Sequence, residues 1–293
     1  MMRIGFGLLL LTTLAMPAVA QDATVRLDPP PPAPAQDKSG YWLFNPTPTA
    51  ALRGFNTDRP TKSNSPITVD AGHVQYETDI FNYTHSNVGG FSTRIYQAFD
   101  PVLKIGLTNN VDFEVQINGY NWIDVDQPNG ARIARFRGAS DILLRPKINV
   151  FGNEGGPALA IIPYVKFPTA ARNIGNGHTE GGVILPISYP LPFGFTALLV
   201  PEVDVLKNAN DAGHHFNFTQ LINISHPIGS QVTVYGELFS ALGTDSRIPP
   251  IYTLDAAVSY AVTDNLQLDI GTNVGLNRAA PNLQLYTGIA QRF

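Results

Sequence analysis

The chain has 293 residues, no cysteine, a formal charge of -4 and 14% charged residues, against roughly 25% charged in ordinary soluble domains. So small a net charge gives no electrostatic support for nucleic-acid binding. With 44% hydrophobic residues and only one apolar run near the N-terminus, two all-β solutions stay open: a soluble sandwich or a membrane barrel.

The chain opens with Met1-Met2-Arg3, an apolar run from Ile4 to Leu14, then Pro17 and Ala18-Val19-Ala20. A charged start, an apolar middle and an A-x-A site form a secretory signal, predicted to be cleaved after Ala20. A helical span needs about 20 apolar residues, so this run is too short to cross a membrane. A buried N-terminal helix is the competing and weaker reading. The absence of cysteine is compatible with export, because a closed barrel satisfies its own hydrogen bonds.

Residues 21–70 are predicted to be a Pro-rich N-terminal segment. Asp28 to Ala35 reads as extended polyproline II and cannot build a core. Residues 54–70 are rich in turn formers. This segment either hangs in the periplasm or partly plugs a lumen, and the sequence leaves both open.

From residue 71 the hydrophobic period is two. In His73 to Ile80, Val74, Tyr76, Thr78 and Ile80 alternate with Gln75, Glu77 and Asp79, and Val111 to Asn118 repeats the pattern. Such alternation marks strands with one apolar and one polar face. Twelve segments are predicted, over 72–84, 91–107, 111–122, 135–151, 157–168, 179–190, 195–206, 213–226, 231–241, 251–263, 266–276 and 282–293. Tight-turn sequences at 108–110, 152–156, 192–194, 227–230 and 263–265 alternate with longer polar loops at 85–90, 123–134, 169–178, 207–212, 242–250 and 277–281. An even strand count and loops sorted by parity predict a closed antiparallel transmembrane β-barrel of outer-membrane type, over residues 71–293. A Greek-key sandwich has no reason to sort its loops in this way. The short turns and both ends of the barrel are placed on the periplasmic side.

In a membrane barrel the polar face lines the lumen. That makes Glu77, Asp79, Asp112, Glu114, Asp141, Arg145, Lys147, Lys166, Glu202, Asp204, Glu237, Asp255 and Asp269 lumen-lining candidates. Arg135 and Arg137 are read as inward on the same strand as Arg145 and Lys147. Antiparallel pairing predicts Lys166 near Asp141, and Asp112 and Glu114 near Arg145 and Lys147. These charges either stiffen the wall as ion pairs or set up a transverse field that orients a polar solute. Aromatics near strand ends, Tyr83, Tyr120, Trp122 and Phe216 among them, are read as interfacial girdles. Pro146, Pro163, Pro186 and Pro201 interrupt predicted strands and are candidate bulges.

No catalytic or metal site is predicted. His214 and His215 are adjacent and point to opposite faces of a strand, as do Ser225 and His226. Among motifs, G-x-S-x-G, H-E-x-x-H and Walker A are all missing. No cofactor is expected.

The terminal Phe293, closing an amphipathic last strand, resembles the assembly signal recognised by the outer-membrane barrel-assembly machinery. Thr57-Asp58-Arg59-Pro60, then Ser65-Pro66, then Gly72-His73-Val74-Gln75-Tyr76-Glu77 resemble the opening of the outer-membrane transporter family associated with the meta-pathway of phenol degradation. Gly138 to Asp141 with Arg145-Pro146-Lys147, and Val165 to Thr169, resemble its later G-x-x-D, R-x-K and K-x-P-T elements. The resemblance implies the outer membrane as location and transport as function; it does not carry phenol over as substrate. The leading expectation is a channel for passive passage of small solutes, aromatic or hydrophobic compounds among them. Outer-membrane lipids and the assembly machinery are the expected partners. A non-conducting envelope scaffold or adhesin is the rival, and an outer-membrane enzyme comes third.

Overall fold

The computed structural model describes residues 37–210 and 212–293. The predicted signal peptide and proline run lie outside the described residues. Two short 3₁₀ turns, Thr49–Ala51 and Pro192–Gly194, accompany sixteen strand segments. The first eight are β1 (Val74–Val88), β2 (Phe91–Ala98), β3 (Val102–Thr108), β4 (Val111–Ile117), β5 (Tyr120–Asp126), β6 (Arg132–Ala139), β7 (Ile142–Phe151) and β8 (Ala158–Phe167). The rest are β9 (Glu180–Ile184), β10 (Ile187–Pro190), β11 (Thr196–Lys207), β12 (His214–Ile228), β13 (Val232–Gly243), β14 (Ile251–Thr263), β15 (Leu266–Gly275) and β16 (Leu283–Arg292).

Four barrel strands are each broken in two, as β2/β3, β4/β5, β6/β7 and β9/β10, so the sixteen segments build a closed, twelve-stranded antiparallel barrel. The ring closes where β1 pairs with β16, from Gln75 opposite Arg292 to His85 opposite Leu283. Closure removes the sheet edge, as lipid requires.

The breaks have local causes. Pro101 brings no N–H to the ladder, and the Asp100 carboxylate instead accepts the Asp79 backbone N–H at 2.7 Å. Pro186 separates β9 from β10. Between β7 and β8 the partners run from Leu144 opposite Val165 to Ile148 opposite Ile161, which sets Pro146 against Pro163 where the ladder lapses. Pro201 stays within β11, and its carbonyl accepts from Leu185 N at 2.9 Å.

The exterior is apolar. Leu103, Ile148, Val203, Phe218, Leu254 and Ile270 all point outward and exposed, the surface expected to meet lipid. Two predicted outside loops are shorter than expected. β1 continues to Val88 and turns over Gly89-Gly90, both at positive φ. β5 runs on to Asp126 before β6 resumes at Arg132. These two hairpins extend as strand where the sequence reads loop.

Arg135 and Arg137 are a second correction. The interruptions at Asn118-Gly119 and Ser140-Asp141 reverse the in–out parity above them. Asn121 and Gly138 face inward as a pair, while Arg137 shares the exposed face with Trp122 and Arg135 pairs with Asp124 at 2.9 Å. Strict alternation cannot be carried across an irregular residue.

Candidate functional site: a charged segment across the lumen

Residues 38–70 enter the barrel from its turn end and return to it, with Asp58 to Ser63 at the deepest point. At the turn end, Lys38 Nζ lies 3.2 Å from Asp70 and 3.0 Å from Glu154. Arg53 reaches Glu154 at 3.1 Å and donates to the Thr68 carbonyl at 2.8 Å. The Asn153 side chain exchanges hydrogen bonds with Thr68, at 3.0 Å to its N–H and 2.7 Å to its hydroxyl. Deeper in, Val69 N donates to Asp112 at 2.9 Å, and Asn149 donates to the Pro66 carbonyl at 2.8 Å.

The stretch Asp58-Arg59-Pro60-Thr61-Lys62-Ser63 then crosses the lumen. Asp58 enters a cationic patch, with Lys104 at 2.6 Å, Lys147 at 3.0 Å and Arg145 at 3.9 Å. Glu77 and Glu114 complete this patch: Lys104 is 2.6 Å from Glu77, and Arg145 is 2.7 Å from Glu114. Three cations thus meet three carboxylates, and one of the carboxylates comes from the segment. Burial alone would raise the Asp58 carboxyl, but the three cations outweigh it and hold it far below the usual carboxylate range.

The next two charges are opposite in sign, and so are their partners. Arg59 binds Asp269 through two nitrogens, at 2.9 and 2.7 Å, and also pairs with Asp79. Burial would lower the Arg59 guanidinium, but Asp269 and Asp79 more than compensate and raise it. Lys62 pairs with Asp255 at 2.8 Å, while its backbone N–H donates to Glu237 at 3.1 Å. The Ser63 hydroxyl also donates to Glu237. The segment reads minus, plus, plus, and the wall without it reads net plus one, minus two, minus two at the same three stations.

Glycine makes the fit possible at one point. A Cβ on Gly288 would stand 2.0 Å from the Arg59 guanidinium, so β16 carries no side chain where Arg59 passes.

Nine of the predicted lumen residues therefore meet the segment or its partners: Glu77, Asp79, Asp112, Glu114, Arg145, Lys147, Glu237, Asp255 and Asp269. The other four lie elsewhere on the inner wall. Lys166 bridges Asp141 at 3.3 Å and Glu180 at 2.6 Å. Asp204 accepts from Tyr164 at 2.7 Å and Asn217 at 3.0 Å, with Glu202 next to it on the inner face of β11. Lys104 escaped the sequence reading, although the alternation Val102-Leu103-Lys104-Ile105 puts it on the inner face. Asp58, Arg59 and Lys62 escaped as well, because a turn-rich segment has no period from which to read a face.

The inner wall also has an apolar side. Ile162, Ile184, Val200 and Leu221 form a buried cluster, and Tyr164, Leu198 and Phe239 pack against it. On the turn side of the segment lies a cavity of about 940 Å³ that includes Pro227, Gly229, Asp264 and Asn265 in its lining. On the loop side are two smaller ones, of about 330 and 190 Å³. Among the described residues no cluster of His, Cys, Asp and Glu is arranged to hold a metal ion.

The T-D-R-P stretch that crosses the lumen is also where similarity to known proteins begins. The family profile described as "Putative MetA-pathway of phenol degradation" matches residues 57–293. The chain belongs to this family. No curated protein matches the sequence. Among solved structures, the chain is similar to an outer membrane channel from Pseudomonas putida F1, with a TM-score of 0.55 and 11% identity over 75% of this chain and 95% of that one. It is also similar to the β domain of a Bordetella autotransporter, at TM-score 0.48 and 14% identity over 74% and 98% of the two chains. The NanC porin follows at 0.46 and 9%, over 74% and 98%. Within the family, this member has the fold of a closed, twelve-stranded β-barrel of outer-membrane type.

Proposed function

We propose that this family member is a passive channel for small solutes across the outer membrane, and that residues 54–70 are a plug setting its bore. The observation that carries the reading is the charge match between Asp58, Arg59 and Lys62 and three stations of the wall. Twelve strands leave a lumen between the filled interior of an eight-stranded barrel and the open pore of sixteen. A chain laid across it leaves cavities on both sides. Leu198 in the turn-side cavity and Phe239 and Ile251 in the smaller loop-side one suit aromatic or hydrophobic solutes, and the family's description points to the same class. The barrel does no chemistry of its own on this reading.

The same reading takes residues 1–20 as the export signal and residues 21–53 as the tether leading to the plug. Both ends of the barrel face the periplasm, and the assembly machinery engages the last strand. Phe293 supports the last point, because its N–H donates to Val74 O at 2.8 Å and so joins the final residue to the first strand at the seam.

Single-channel recording in planar bilayers tests the proposal. The full chain is expected to conduct weakly. The variant Asp58→Asn/Arg59→Gln/Lys62→Met, which keeps the segment but removes its charges, is expected to conduct several-fold more. Silence from both proteins would overturn the channel and favour a non-conducting scaffold. Equal currents would overturn the plug.

A further inference from the structure

The loop-side cavity of about 190 Å³ lies between Lys62 and the wall formed by β13 to β16, with Phe239, Ile251 and Pro281 as its apolar sides and Asn273 and Gln284 as polar ones. A cavity of about 150 Å³ takes a benzene-sized ring, so this one has room for a ring with a small substituent.

The polar side has a fixed polarity. Asp79 anchors it, accepting from Arg59 through one oxygen and from Asn82 Nδ2 through the other at 2.7 Å. A carboxylate can only accept, so Asn82 must turn its amide nitrogen to Asp79 and its oxygen away. That oxygen accepts from Gln284 Nε2 at 3.0 Å. Gln284 therefore presents its own oxygen to Asn273 Nδ2, at 2.6 Å. The relay ends on Asn273 Oδ1, a buried acceptor without a partner, on a residue only 4% exposed that lines both loop-side cavities. A buried acceptor left unsatisfied costs about 1–3 kcal/mol, so the site is built to receive a donor.

The cation beside it is already spent. Lys62 Nζ sits on Asp255 and Thr253, both at 2.8 Å, and 4.6 Å over the face of Phe239. An entering anion would meet a neutralised ammonium backed by Asp255 and Glu237.

We infer that this cavity is a binding site for a small uncharged solute with an apolar ring and one O–H or N–H donor, the donor held by Asn273 Oδ1 and the ring by Phe239, Ile251 and Pro281. The site rests on the channel reading and supplies its selectivity: hydroxylated or amino-substituted rings in preference to their ethers and carboxylates.

Calorimetric titration of the refolded full chain in micelles, with phenol, anisole and benzoate as probes, tests the site. Anisole keeps the ring and the oxygen of phenol but has no O–H. Phenol is expected to bind about tenfold more tightly than anisole, and benzoate more weakly than phenol. In Asn273→Leu the phenol-to-anisole ratio is expected to fall to about one. The ratio cancels partition of the probes into the detergent. Gln284→Leu, which frees the Asn273 amide to rotate, is expected to reduce the ratio at least threefold and serves if Asn273→Leu fails to fold. An unchanged ratio in whichever variant folds, or benzoate binding above phenol, would overturn the site. Binding is read at equilibrium without current, so failure here and failure of the channel are separate results.

Discussion

Asp58 and Lys147 are 89 residues apart in the chain and 3.0 Å apart inside the barrel. The contact ties a turn-rich segment with no core of its own to the middle of a wall strand. Removing one partner of a buried pair leaves the other uncompensated and costs about 3–5 kcal/mol. Asp58→Asn is therefore expected to loosen the plug, because Lys104, Lys147 and Arg145 would share only Glu77 and Glu114. Limited proteolysis within residues 54–70, faster in the variant while the heat-modifiable gel mobility of the barrel persists, would show it.

Arg59 bridges Asp79 and Asp269, and only glycine fits beside it at position 288. Gly288→Ala is expected to displace the guanidinium, since the new methyl would occupy its place and both carboxylates hold it there. Higher single-channel conductance with unchanged strand content by circular dichroism is the expected outcome. Conductance equal to that of the unaltered chain would mean Arg59 has another place to sit.

Acid should release the two anchors at different pH. Burial opposes the ionised form of Glu154, but Lys38 and Arg53 hold its carboxyl below the ordinary 4.5. A lowered folded value means the contribution is full above the ordinary value and lost as pH falls through the folded one. Asp58 lies far lower still, so its anchor outlasts that of Glu154. In a Trp122→Phe background, the emission of Trp42, close to the Lys38 anchor, is expected to shift below about pH 4. The Asp58 contacts with Lys104 and Lys147 should outlast that change and hold to about pH 3.

The lipid face predicts a cost that depends on depth. Ile270, 63% exposed and opposite Val258 on the neighbouring strand, stands near the middle of its strand. Ile270→Arg is expected to destabilise the barrel by about 2–4 kcal/mol, and a charge near a strand end by about 0–1 kcal/mol. Reversible urea titration in liposomes measures both.

Phe293 divides assembly from stability. Deleting it removes one backbone pair at the β1–β16 seam, while the pairing from Gln75 to His85 remains. Outer-membrane yield in cells is expected to fall several-fold, while the barrel refolded in detergent keeps its heat-modifiable mobility. Equal losses in both would make Phe293 a structural residue and not an assembly signal.

The barrel was legible because a period of two survives in a single sequence wherever one face meets lipid and the other meets polar groups. Thirteen inward charges could be named that way, and Lys166 beside Asp141 followed from turn position alone. Parity failed where the ladder is interrupted, as with Arg135 and Arg137 beyond Ser140-Asp141. Loop lengths failed at Gly89-Gly90, where strand propensity continued through a stretch that reads as polar. The plug was the least legible part. Its Asp58, Arg59 and Lys62 have no period and no hydrophobic face, and their positions are set by charges that lie between 20 and 210 residues further along the chain. Local alternation is a property of neighbouring residues, so the sequence by itself determined the barrel, its two faces and its family. Which charge meets which is a long-range electrostatic choice made only once the ring has closed, and that the tertiary structure alone decided.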